Sequence, residues 1–205
     1  MRALFVHGMG RSVLSGSPML RRLRQGGLHT SSFGYTATFE RFDAIRDRLS
    51  ASIERLAGSG DNYVLIGHSL GGLLLRAAIA ALPDGTPAPR HLFLLGSPVQ
   101  APRLAQRLRR RWFFRAATGD CGQLLGSADR MASVSAAQVP TTSIGGTRGL
   151  SGRHSPFGSE ANDGVVALSE LQAPWIGEQI EVASFHTVLP ASRQVAEIIL
   201  QRVRR

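Results

Sequence analysis

Val64-Leu65-Ile66-Gly67-His68-Ser69-Leu70-Gly71-Gly72-Leu73 carries the strongest structural signal in the chain. A short apolar, β-branched run from Asn62 to Ile66 halts at a glycine, and a serine follows two positions later. Leu73 to Leu82 is then apolar nearly all round and stops at Pro83. This reads as a buried strand, a tight turn and a buried helix. The turn has the pattern G-x-S-x-G. A serine on so sharp a strand-to-helix corner projects its hydroxyl above the sheet, and the small residues 67 and 71 let strand and helix approach each other. The helix that opens beside Ser69 directs its positive end at the same point, which favours a developing anion. Ser69 is therefore the candidate nucleophile, with a purely structural turn as the bland alternative.

Arg2 to Val6 is an apolar run that ends in His7-Gly8-Met9-Gly10, a strand entering a glycine-rich loop. Ser17-Pro18 opens a helix to about Gln25, and Leu28 to Phe33 is a second strand. Phe39 to Ala57 carries apolar residues at Phe42, Ile45, Leu49, Ile53 and Leu56, the spacing of an amphipathic helix. Further strands are expected at His91 to Leu95, Val139 to Ile144 and Gln179 to Ala183, with a last helix from Ala191 to Val203. Strands read as continuous apolar runs and alternate with helices. That pattern predicts an α/β fold with about six mostly parallel strands, covered on both faces, in a single domain over 1–205. Ligands on such sheets sit at the carboxyl ends of the strands. The loops at 7–10, 67–72, 96–98 and 145–149, and the one after Ala183, all fall there.

A serine hydroxyl needs a base, and the base needs an orienting acid. On strand–turn–helix elbows of this kind the chain order is serine, acid, histidine. His186, just after the last strand, is the candidate base, and His154, in a polar loop, is its rival. Asp163, in Asn162-Asp163-Gly164-Val165-Val166, is the candidate acid. Asp120, Asp129 and Glu160 compete with it, and an Asx turn is its bland reading. The oxyanion hole is expected from the amides of Leu70 and Met9, with Gly8 as the alternative to Met9.

Together, Val6-His7-Gly8-Met9-Gly10, Gly67-His68-Ser69-Leu70-Gly71-Gly72, Asn162-Asp163-Gly164-Val165-Val166 and Phe185-His186 resemble the bacterial lipase/esterase branch of the α/β-hydrolase superfamily and the related PGAP1-like group. The resemblance runs over roughly residues 2–200. It implies the α/β-hydrolase fold, a Ser–Asp–His triad, a methionine or leucine amide after His-Gly in the oxyanion hole, ester substrates and no cofactor or metal. An acyltransferase or thioesterase would use the same triad, and a non-catalytic binding module could share the scaffold. The sequence opens on the strand that bears the oxyanion loop, so the usual first two strands of that family are not expected.

The formal net charge is +10, and all 24 basic residues are arginine. Aromatic content is 6% and no zinc spacing is present, so nucleic acid is not the expected partner. No 18-residue apolar run or secretory leader is visible, and a cytoplasmic location is expected. Cys121 is the single cysteine and has no neighbouring histidine to activate it.

Residues 99–138 are expected to form a small helical cap or lid. Ala101 to Ala116 reads as one helix with Pro102 in its first turn and Leu104, Leu108 and Trp112 on one face. Arg103, Arg107, Arg109, Arg110, Arg111 and Arg115 line it without an intervening acid. Such a helix suits an anionic membrane surface, giving a peripheral membrane location, or a lid over an acyl chain; an ordinary solvated arginine face is the bland alternative. His7, Trp112 and Phe113 are candidate substrate contacts.

Overall fold

The computed structural model describes residues 1–153 and 155–204. Among these, β1 (Arg2–Val6), β2 (His29–Phe33), β3 (Tyr63–His68), β4 (His91–Leu95), β5 (Thr141–Gly146) and β6 (Glu178–Val182) form one sheet in the order β2-β1-β3-β4-β5-β6. Every neighbouring pair is parallel. Side chains alternate across a strand, so each strand feeds two cores. In β1, Leu4 and Val6 join Ile45, Leu49, Leu65 and Leu73 on one face. Ala3 and Phe5 join Met19, Leu23, Ile66 and Ile199 on the other. Each of these side chains larger than alanine contributes about 1.5–3 kcal/mol by leaving water.

The helices are α1 (Ser17–Gln25), α2 (Phe42–Ala57), α3 (Leu70–Ala80), α4 (Arg103–Leu108), α5 (Trp112–Leu125), α6 (Ala128–Ala132) and α7 (Arg193–Val203). The helix after β1 packs with α7 on one face, and the helix after β3 packs with α2 on the other. Adjacent strands β1 and β3 thus send their chains to opposite sides, which opens a crevice between their carboxyl ends.

Two expectations change. The helix expected from Phe39 begins at Phe42, because Glu40 is drawn back to accept from the Thr36 amide at 2.6 Å. Its first turn is capped from afar: Asp120 Oδ2 accepts from the Phe42 amide at 2.9 Å. The single helix expected over 101–116 is two, α4 and α5, folded as a hairpin around Arg109–Arg111. Gln123 donates to the Arg109 carbonyl at 3.2 Å, and a Cβ on Gly126 would lie 3.0 Å from the Ala105 carbonyl, so the two helices close tightly. The hairpin brings Ala105, Leu124 and Leu125 into the core. α5 itself kinks at Gly119 (φ 53°), where a side chain would meet the Thr38 carbonyl at 2.7 Å.

Candidate active site

Ser69 stands between β3 and α3 with φ 52° and ψ −123°, the one described non-glycine residue in the left-handed half of backbone space. A serine there is strained by about 1 kcal/mol or more, held by its surroundings. Its amide donates to the Leu95 carbonyl at 2.9 Å. A Cβ on Gly67 would run into the backbone of Gly72, and one on Gly71 into the carbonyls of Val6 and His7. The glycines of the motif are therefore the contact surface between strand and helix.

Leu70 is the first residue of α3, and Met9 is the second residue of a turn closed by the Arg11 amide on the Gly8 carbonyl at 3.2 Å. Gly10 supplies that turn's positive φ, 66°. Among the described residues, neither the Met9 nor the Leu70 amide donates to a protein acceptor. The turn rests on Gly8, where a Cβ would lie 3.1 Å from Cβ of Ser69. His7 supports it from below. The His7 ring is buried, stacks on Tyr35 at 4.3 Å and donates from Nδ1 to the Gly8 carbonyl at 2.9 Å. Burial holds its pKa below the ordinary value. Tyr35 donates to the His7 carbonyl at 2.8 Å.

Asp163 and His186 meet at the ends of β5 and β6. Oδ2 of Asp163 accepts from Nδ1 of His186 at 2.6 Å, which leaves Nε2 with the lone pair. Oδ1 of the same carboxylate accepts from the amides of Val165 (3.0 Å) and Val166 (2.8 Å). The Asx turn and the imidazole bond are thus both present, one on each oxygen. Asn162 fixes the turn by accepting from the Gly164 amide at 2.9 Å. Both acid and base are buried, at 1% and 6% exposure. Gly96, the residue after the strand that receives the Ser69 amide, has φ 53°. A Cβ there would lie 2.9 Å from Asp163 Oδ2 and 3.0 Å from His186 Nδ1. Ser69 and the Asp163–His186 pair therefore flank the carboxyl end of one strand, β4.

The rival acids are engaged elsewhere. Asp120 holds Arg130 and the Phe42 amide, and Glu160 holds Arg103 and the Ser169 amide. Asp129 is exposed. His154 lies outside the described residues. Burial pushes the Cys121 thiol up to about 12, so it is an inert core side chain. Trp112 and Phe113, at 79% and 50% exposure, meet each other edge to face and stand in solvent. Arg103 is not a free cation as its sequence context suggested: Glu160 at 2.5 Å and buried Glu170 at 3.0 Å hold it. Among the described residues no group of three or more potential metal ligands occurs.

Sequence reasoning gave no role to His68, which lies inside the turn motif, and none to Tyr35 or Glu170, which carry no local signal; Gly96 entered it only through the loop 96–98.

No family profile and no curated protein sequence matches this chain. Solved structures do. A Bacillus licheniformis lipase in its mature form aligns with TM-score 0.68 and 14% identity over 98% of this chain and 91% of its own. The RedJ thioesterase of the prodiginine pathway of Streptomyces coelicolor gives 0.62 and 16% over 98% and 84%. An extracellular α/β-hydrolase from a Paenibacillus species gives 0.63 and 14% over 98% of each chain. At such identities the likeness speaks for architecture: this chain has the α/β-hydrolase fold.

Proposed function

We propose that this chain is a serine hydrolase that cleaves carboxylic esters through an acyl-enzyme on Ser69. The observation that carries the reading is the buried Asp163–His186 bond at the end of the strand that also receives the strained Ser69, with the Met9 and Leu70 amides without a protein acceptor among the described residues. Nε2 of His186 takes the Ser69 proton as Oγ attacks the ester carbonyl, and the amides of Met9 and Leu70 hold the oxyanion. The imidazolium then gives its proton to the departing alcohol. Water, deprotonated by the same Nε2, attacks the acyl-enzyme and restores the serine. Asp163 keeps the proton on Nδ1 and stabilises the imidazolium. An apolar depression of about 430 Å³ next to the acid turn, lined in part by Leu104, Leu150, Pro156 and Phe157, suits an acyl chain.

A thioesterase or acyltransferase would use the same acyl-enzyme. A panel of p-nitrophenyl esters of short to long acyl chain, run beside matched thioesters and with competing alcohols, separates them. Turnover of esters to free acid is expected. Turnover of thioesters alone, or transfer to the alcohol in place of water, would displace the ester-hydrolase reading.

The exposed surface of the connections that follow the strands suits an anionic bilayer as partner. Among the described residues, the large exposed apolar side chains are Leu14, Phe39, Trp112, Phe113, Leu150, Phe185 and Val188, each in the segment that follows a strand. Exposed arginines 11, 107, 109–111, 115, 148 and 153 share those connections, and none has a carboxylate partner among the described residues. Apolar tips amid unpaired cations bind a negatively charged lipid surface. No described helix is long and apolar enough to cross a membrane. Sedimentation with phosphatidylglycerol vesicles is expected to pellet the protein, less so as salt rises. Equal pelleting with phosphatidylcholine, or none, would remove this partner.

A further inference from the structure

The residue preceding the nucleophile has no part in the scheme above, yet it touches the base. Nε2 of His68 donates to the main-chain carbonyl of His186 at 3.0 Å, across 118 positions of sequence. The two rings lie 4.9 Å apart, tilted by 43°. A carbonyl only accepts, so Nε2 carries the His68 proton and Nδ1 carries a lone pair. That Nδ1 is buried and has no hydrogen-bond partner. It faces Gly8, where a Cβ would come within 2.8 Å.

We infer that His68 is a positioning residue, which sets the separation of Ser69 from His186 by holding the His186 main chain against the nucleophile turn. Among the described residues, three hydrogen bonds tie His186 to distant parts of the chain. Its ring is held by Asp163 at 2.6 Å and its amide donates to the Asp163 carbonyl at 2.9 Å. Both of these tie it to the acid turn, and neither refers it to the serine. The His68 bond alone does so, because His68 and Ser69 share a peptide link. The ring suits this task. It is rigid, 1% exposed and walled by Gly8, so it cannot swing away. Burial, with the neighbouring His186 second, lowers its pKa to about 3, so it adds no charge beside an imidazolium. An error of about 1 Å between nucleophile and base can cost on the order of 100-fold in rate.

This rests on the activated-serine reading, so the readout is the rate at which a fluorophosphonate labels Ser69, alongside kcat and KM for a p-nitrophenyl ester. Two variants of equal polarity divide the question. In His68→Gln the amide nitrogen falls where Nε2 was; in His68→Asn it falls where Nδ1 was, too short to reach the carbonyl. The expected result is a roughly 10–100-fold slower labelling and kcat in His68→Asn, with KM within about twofold, and recovery to within about threefold of wild type in His68→Gln. Equal rates in the two variants, whether both normal or both low, would overturn the proposal. Loss through KM in place of kcat would do the same. If the wild-type chain is not labelled at all, it is the serine-hydrolase reading that fails. His68→Phe, with the thermal midpoint measured beside its labelling rate, separates lost packing from the lost bond: ring volume is kept, so labelling is expected to fall as in His68→Asn.

Discussion

Asp163 grips His186 twice: through its side chain, Oδ2 to Nδ1 at 2.6 Å, and through its main chain, the His186 amide to the Asp163 carbonyl at 2.9 Å. The second bond places the imidazole and the first sets its tautomer. The two functions are separable by mutation.

Asp163→Asn keeps the main-chain bond and the turn but offers an amide to Nδ1. The amide can donate, which moves the imidazole proton to Nε2 and removes the base. A fall in kcat of about 10³–10⁴-fold with KM little changed is expected in steady-state ester hydrolysis. A fall below tenfold would mean that this aspartate does not orient the base.

The strain at Ser69 has a signature of its own. Ser69→Ala and Ser69→Gly both remove the nucleophile, but only glycine adopts φ 52° without cost. The glycine variant is expected to be the more stable by about 1 kcal/mol, read from urea midpoints. Equal midpoints would indicate that the elbow is not strained.

Acid weakens this fold through its buried histidines. His68 goes from an unfolded value near 6.5 to about 3 when burial disfavours its charge. Between these values the unfolded chain binds more protons, so stability falls as pH drops below about 6.5 and is level above it. At pH about 5.5 the loss from this one residue is about 1.4 kcal/mol, roughly 3–5 °C in thermal midpoint. His7 and His91 are lowered by burial too and act in the same direction. A thermal midpoint that does not change between pH about 7.5 and about 5.5 would contradict this.

Glu170 anchors the start of α4 to the segment that carries the acid. Its Oε1 accepts from the Arg103 amide at 2.7 Å and from Arg103 Nε at 3.0 Å, and its Oε2 accepts from the Ala167 amide at 2.9 Å. Glu170→Ala leaves these donors without a partner in a site 3% exposed. A loss of about 2–3 kcal/mol, or about 5–10 °C, is expected in thermal unfolding. A shift under 2 °C would show that water replaces the carboxylate at little cost.

The sequence carried Ser69, Asp163 and His186 because each announces itself locally: a glycine-flanked turn after an apolar run, an Asn-Asp-Gly turn, a histidine just past the last strand. The strand ends then bring them to one rim with no further information. Tertiary partners were invisible. The start of α2 depends on Asp120, 78 positions away, and the hold on His186 depends on His68, 118 positions away; no periodicity encodes either. The four-residue spacing of Leu104, Leu108 and Trp112 fits one straight helix as well as it fits a hairpin. The close packing of Gly126 on Ala105 and Arg109 selects the hairpin. Likewise the arginine run looked uniform, until Glu160 and Glu170 claimed Arg103 in space.

In the proposed mechanism His186 makes the Ser69 hydroxyl nucleophilic. Intact-mass analysis after brief exposure to a fluorophosphonate tests it in wild type, Ser69→Ala and His186→Ala. One adduct on the wild-type chain, mapped to Ser69, and none on either variant is the expected outcome. An adduct on Ser69→Ala, or labelling of His186→Ala at the wild-type rate, would contradict it.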